Sequence, residues 1–211
     1  MQPFTTHTGI VATLDRANVD TDQIIPKQFL KSIRRTGFES GLFFDWRFRP
    51  DGSLEPGFEL NAPALKGASV LVTRNNFGCG SSREHAVWAI QQYGFRAVVA
   101  PWADRDGTRV PAFADIFRNN AGKNGLLTIE LTPGEVDRIF ASARRHPGVR
   151  ADVDLSAQTL TVHSAPPETF RFDVDPSLKD KLLNGVDDIS ATLAYEDRIT
   201  EFERTHDVQR A

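Results

Sequence analysis

Apolar residues fall along this chain in short runs that alternate with segments of helical spacing. Ser69-Val70-Leu71-Val72-Thr73, Arg96-Ala97-Val98-Val99-Ala100-Pro101 and Gly125-Leu126-Leu127-Thr128-Ile129-Glu130-Leu131 read as strands, and Phe4 to Leu14, rich in Thr, Val and Ile, as an earlier one. Ala86 to Ile90 and Phe113 to Phe117 carry helical patterns, the second closed by Asn119-Asn120-Ala121-Gly122. Thr132-Pro133-Gly134-Glu135 is a helix start, with an N-cap Thr, Pro at the first helical position and Glu three residues on; Val136, Ile139, Phe140 and Ala143 form its apolar stripe. Ala151 to Leu155, Thr159 to Val162 and Phe170 to Val174 alternate with period two and predict antiparallel strands. Pro176 to Leu183 and Asp187 to Glu203 read as helices. Strand-helix alternation of this kind predicts an α/β fold whose sheet is at least partly parallel.

Three stretches interrupt the pattern. Asn18 to Pro26 holds Asp20 and Asp22; a hard cation wants more oxygen ligands than these, and an Asx turn favours the same residues. Lys27 to Arg49 mixes Phe29, Phe38, Phe43, Phe44, Trp46 and Phe48 with Lys31, Arg34, Arg35, Arg47 and Arg49. It reads either as a solvated basic face or as a mobile basic flap that closes over an acidic substrate. Trp102 to Ala112, with Asp104-Arg105-Asp106-Gly107-Thr108 inside, is polar, turn-rich and predicted to be exposed.

Composition narrows the function classes. A chain of 211 residues, 40% hydrophobic, can bury the core of a soluble globular domain, and a formal charge of −3 gives no electrostatic reason to expect nucleic acid or an anionic membrane as partner. No apolar run approaches the roughly 20 residues that span a bilayer, and Met1-Gln2-Pro3-Phe4 lacks the regions of a signal peptide, so the expected location is the cytoplasm. The single cysteine, Cys79, excludes an internal disulfide and cannot alone hold an iron-sulfur cluster; it reads as a loop filler, since no base and orienting group accompany it as a nucleophile needs.

The densest chemistry lies in Asn76-Phe-Gly-Cys-Gly-Ser-Ser-Arg-Glu-His85, between a predicted strand and a predicted helix. That order gathers free backbone N–H groups, a helix dipole, two hydroxyls and a guanidinium around one small volume, which suits a small di- or tricarboxylate. Gly78 and Gly80 would let the backbone turn tightly and approach the ligand. The same residues also match a capping box, Ser81 with Glu84, although a plain cap needs neither the flanking glycines nor Arg83 and His85. His146 suits the negative end of its helix, and His163 is isolated and structural.

Asn18-Val-Asp-Thr-Asp-Gln-Ile-Ile-Pro26, Gly78-Cys-Gly-Ser-Ser-Arg-Glu-His-Ala86, Phe113-Ala-Asp-Ile-Phe117, Lys123-Asn-Gly-Leu-Leu127 and Leu183-Asn-Gly-Val-Asp-Asp-Ile189 together resemble the small subunits of isopropylmalate isomerase (3-isopropylmalate dehydratase). The Gly-Ser-Ser-Arg-Glu-His string is shared across the aconitase superfamily. The resemblance implies one domain over residues 1–211, a swivelling β/β/α fold like the mobile C-terminal domain of aconitase, with a mixed sheet and flanking helices. A substrate-recognition loop is expected near 27–49, an insertion near 102–112 and a helical C-terminal extension near 176–211. The insertion stands where family members pass almost directly into the Phe113 to Phe117 segment; it either borders the site or is a surface excursion, which loop-closure entropy makes inexpensive.

The resemblance also implies a hydro-lyase that converts 2-isopropylmalate to 3-isopropylmalate through isopropylmaleate in leucine biosynthesis, active only with a large subunit. That partner would carry a 4Fe-4S cluster, none being bound by this chain. Ser81 would be the catalytic base, and Ser82, Arg83, Arg34 and Arg35 would bind substrate. The alternatives are a small subunit serving another 2-hydroxy diacid, such as homoaconitate, citramalate or dimethylmalate, and a non-catalytic carboxylate-binding module.

Overall fold

The computed structural model describes residues 1–31 and 35–206. In chain order its elements are β1 (Thr6–Thr13), α1 (Thr21–Ile24), α2 (Phe44–Arg47), β2 (Val70–Val72), α3 (Glu84–Tyr93), β3 (Ala97–Pro101), β4 (Ala103–Arg105), β5 (Thr108–Val110), α4 (Asp115–Asn124), β6 (Leu127–Leu131), α5 (Pro133–Arg145), β7 (Arg150–Asp154), β8 (Thr159–Val162), β9 (Glu168–Arg171), α6 (Pro176–Asn184), α7 (Asp188–Leu193) and α8 (Glu196–Thr205). Seven strands form one sheet in the order β6-β3-β2-β1-β7-β8-β9. The half from β6 to β1 is parallel, and β7, β8 and β9 run antiparallel beyond it, as the two kinds of hydrophobic pattern predict.

Successive strand residues face opposite sides, so the apolar runs feed two cores. Ala12, Leu71, Val98 and Ala100 face a core closed by α3 and α4 through Ala86, Val87, Ile90, Phe117 and Ala121. Val11, Val70, Val72, Val99 and Ile129 face the other, closed by the α5 stripe Val136, Ile139 and Phe140 and by the inner residues of β7 to β9. Each of those α5 side chains is buried and contributes about 1.5–3 kcal/mol by leaving water. The α5 start is the predicted capping box: Thr132 Oγ1 accepts the Glu135 N–H while Glu135 accepts the Thr132 N–H.

Several boundaries differ from the sequence pattern, β9 among them, which runs over Glu168–Arg171 rather than Phe170 to Val174. Helix α4 does not stop at Asn119 to Gly122 but runs to Asn124 and ends at Gly125, in the left-handed region at φ 83°. Gly122 is a packing glycine inside the helix rather than its stop, facing Leu178 of α6 so closely that a Cβ would stand 2.7 Å from Leu178 Cδ1. The Asp187 to Glu203 segment is two helices, α7 and α8, broken at Ala194 and Tyr195. Ile189, Leu193, Tyr195 and Phe202 of this region are exposed.

The aromatic residues of the 27–49 segment belong largely to the core. Phe38, Leu42 and Phe43 are buried, and Arg47 Nη1 donates to the carbonyls of Glu39 and Leu42 with its guanidinium 4.7 Å from the Tyr93 ring. Residues from Phe38 onward are therefore packed into the core rather than lying as a free flap. Within Trp102 to Ala112, β4 and β5 form an antiparallel hairpin tied to β6 by the Arg109–Glu130 ion pair. No helix among the described residues is long and apolar enough to cross a membrane.

Candidate active site

Three loops leaving the carboxyl ends of parallel strands meet at one place, the position where open α/β sheets put their ligands. The loop after β2 is held on one side by the loop after β1: Gly78 N–H donates to Val19 O at 2.8 Å and Thr21 N–H to Cys79 O at 2.9 Å. On the other side it meets the chain after β5, where Asn76 and Phe77 N–H reach Pro111 O and Ala112 O at 3.0 Å each and Ala114 N–H reaches Phe77 O at 3.0 Å. Asn76, Gly78 and Gly80 all sit at positive φ, so the turn winds tightly before α3 starts.

The glycines have different reasons. A Cβ on Gly78 would lie 2.2 Å from Phe117 Cγ, so this residue faces the core rather than a ligand. At Gly80 the nearest atom to a Cβ is Asp20 Cβ, 3.4 Å away, and only its φ of 91° demands glycine. Asp20 is no metal ligand here but the N-cap of α1, in a capping box with Gln23.

The alternative reading of Ser81 and Glu84 as a plain capping box is not what forms. Helix α3 begins at Glu84, its N-cap is Arg83, and no side chain caps it. Tertiary contacts compete: Thr21 Oγ1 donates to Ser81 O at 3.1 Å, and the Glu84 carboxylate accepts from Asn124 Nδ2 of α4 at 2.8 Å. Ser81 and Ser82 are consequently exposed, and neither hydroxyl has a hydrogen-bond partner among the described residues. The N–H groups of Ser82, Arg83, Glu84 and His85 likewise find no acceptor there, leaving donors and the positive end of α3 aimed at whatever occupies the site.

Arg83 is held rather than free. Its Nη1 pairs with Asp22 Oδ1, and its side chain is only 14% exposed against 43% for Asp22. That pairing fixes the guanidinium against Asp22, in the turn that carries Ser81 and Ser82, and leaves its remaining N–H groups for a second carboxylate. Asp22 is the site residue the sequence missed, because nothing in its spacing marks a partner 61 positions away.

Arg35 is brought against α3, its guanidinium 5.7 Å from the Trp88 ring, which itself lies 4.8 Å from His85. Arg34 lies outside the described residues. Burial, and then the Asp20 charge, push the Cys79 thiol above its ordinary pKa, which disfavours the thiolate a nucleophile or metal ligand requires. Among the described residues no group of three or more His, Cys, Asp or Glu is placed to hold a metal. His163 pairs with Asp152 at 2.8 Å on the antiparallel half of the sheet, away from the three loops.

Residues 1–134 match the family model of the aconitase C-terminal domain. The chain is 55% identical to a 3-isopropylmalate dehydratase small subunit of Desulforapulum autotrophicum, covering 96% of this chain and 95% of that one. It is 55% identical to the same subunit of Rhodopirellula baltica, over 96% and 98%, and 52% identical to that of Neisseria meningitidis, over 96% and 94%. A solved 3-isopropylmalate dehydratase from Methanocaldococcus jannaschii shares the fold, with a TM-score of 0.65 at 24% identity over 93% of this chain and 98% of that one. On this similarity, with the Gly-Ser-Ser-Arg turn at the carboxyl ends of its parallel strands, the chain belongs to the family of 3-isopropylmalate dehydratase small subunits, built on the aconitase C-terminal fold.

Proposed function

We propose that this chain is the acid-base half of a hydro-lyase that isomerises 2-isopropylmalate to 3-isopropylmalate through isopropylmaleate in leucine biosynthesis. The observation that carries the reading is the uncommitted Ser81 hydroxyl in the turn that leads into α3, the same turn whose Arg83 guanidinium is fixed by Asp22. Arg83, Ser82 and the free N–H groups bind a substrate carboxylate, with Arg35 and Arg34 contributing from the preceding loop.

Ser81 Oγ, as alkoxide, takes the proton from the carbon next to that carboxylate; the released electron pair forms the C=C bond as the hydroxyl on the neighbouring carbon departs. Rehydration reverses the steps, with Ser81 returning the proton and the hydroxyl adding to the other carbon. A serine alkoxide near neutral pH needs strong local stabilisation, which the α3 N-terminus, its N–H groups and Arg83 supply.

One cysteine with a raised pKa does not fit the ligand set of a 4Fe-4S cluster, so a cluster supplying Lewis-acid help to the departing hydroxyl would be held by a large partner subunit. An unpaired cysteine suits a reducing compartment, and the complex is assigned to the cytoplasm. The test is to mix this chain anaerobically with the large subunit of its own organism and follow isopropylmaleate absorbance. Turnover that needs both chains, and that prefers isopropylmalate over homoaconitate, citramalate and dimethylmalate, is expected. Dehydration by this chain alone, or none by the pair, refutes the proposal.

A further inference from the structure

The turn that carries Arg35 is fastened to α3 by one side chain. Gln92 Oε1 accepts the Phe38 N–H at 2.9 Å, and Gln92 Nε2 donates to the Arg35 carbonyl at 2.8 Å. A carbonyl and the N–H three residues on are the two groups that bond each other in a closed β-turn; here the Gln92 amide satisfies both and holds the turn open. Gly37, at φ 93° with nothing within 4 Å of a Cβ, lets the chain make that bend.

The same helix face contributes further contacts. His85, Trp88 and Gln92 recur at the three- and four-residue spacing of one face of α3, and all meet this turn. Phe38 packs edge-on against His85 at 5.2 Å and lies 5.7 Å from Trp88, while the Arg35 guanidinium sits over Trp88. The N-terminal end of this face begins directly after Ser81, Ser82 and Arg83. Rotation or displacement of the turn relative to α3 therefore changes where Arg35 stands with respect to the proposed base and clamp.

We infer that Gln92 is a positioning residue: its amide fixes the backbone at both ends of the Arg35 to Phe38 bend and so sets the placement of Arg35 toward the substrate carboxylate it helps to bind. The inference rests on the proposed function, and it assigns Gln92 no contact with substrate. Aromatic packing of Phe38 alone fixes a side chain; the two amide bonds fix the main chain from Arg35 to Phe38, which an apolar residue at position 92 cannot do.

The test compares Gln92→Met, of similar length but without the amide, with wild type in the assembled two-subunit enzyme. KM for isopropylmalate is expected to rise about 10-fold with kcat within about 2-fold, because binding geometry is loosened while the base is untouched. In an Arg35→Ala background the same substitution should leave KM unchanged, since no guanidinium remains to be placed. Gln92→Glu, which keeps the acceptor for Phe38 and loses the donor to Arg35, should also raise KM and serves if Gln92→Met assembles poorly. An unchanged KM in both variants, or the same rise with Arg35 removed, overturns the inference. Ser81→Ala in the same assay separates the two claims: if it is inactive while the Gln92 variants bind normally, the inference alone fails, and if it is fully active, the proposed function fails with it.

Discussion

The two glycines flanking Cys79 look equivalent in sequence, yet the structure predicts unequal costs for replacing them. Gly78 sits at φ 75° and its missing Cβ would fall 2.2 Å from Cγ and 2.5 Å from Cβ of Phe117. Phe117 cannot yield easily, being buried and packed edge-on against Phe77 at 5.2 Å and stacked on Phe113 at 6.3 Å. Gly78→Ala therefore combines about 1 kcal/mol or more for alanine at positive φ with about 1–3 kcal/mol for overpacking. Gly80→Ala meets nothing closer than 3.4 Å and bears only the backbone term of about 1 kcal/mol. At roughly 2–4 °C per kcal/mol for a chain of this size, a 3 kcal/mol loss lowers the melting temperature of Gly78→Ala by about 6–12 °C and a 1 kcal/mol loss that of Gly80→Ala by about 2–4 °C. Thermal unfolding followed by far-UV circular dichroism on the isolated chain reads both. Equal shifts, or a Gly78→Ala variant as stable as wild type, would refute the packing argument.

Further outcomes follow from the same geometry. Asp22→Asn removes the charge that holds Arg83; kcat/KM of the assembled enzyme should fall about 10-fold while the partly exposed pair contributes roughly 1 kcal/mol or less to stability, read as a small change in unfolding midpoint. Hydrogen bonds from Thr8 and then His163 lower the Asp152 carboxyl below its ordinary pKa. Its stabilising contribution is complete above the ordinary carboxylate range and disappears as pH falls through the lowered value, so the stability deficit of Asp152→Asn should narrow as pH is taken down through and below the ordinary carboxylate range in urea titrations. Cys79, with its raised pKa, should react with iodoacetamide near neutral pH more slowly than free cysteine, followed by mass spectrometry of the native chain; faster alkylation contradicts the burial assigned to it.

What the sequence made legible is what local chemistry decides. Strands β2, β3 and β6 stand where apolar runs predict strands, β7 and β8 where period-two alternation predicts antiparallel ones, with β9 shifted two residues earlier at its start, and α5 starts at the capping box read from Thr132 and Glu135. At Ser81 the spacing left a capping box open as an alternative; it does not form, because Glu84 is drawn to Asn124 and the Ser81 carbonyl to Thr21, contacts that only the folded chain supplies. Local logic failed at Gly122, which packs against Leu178 inside α4, and at Phe38 and Phe43, whose burial in the core hides among residues that look like a docking surface. The Asp22–Arg83 pair and the Gln92 amide clamp join segments that no periodicity connects.

The account turns on the Ser81 hydroxyl as the group that moves the proton. Ser81→Ala, assembled anaerobically with the large subunit and assayed by isopropylmaleate absorbance, should lose at least about 100-fold in kcat, the low end for removal of an acid-base group, with KM and complex formation close to wild type. Turnover near the wild-type rate in an intact complex would contradict it.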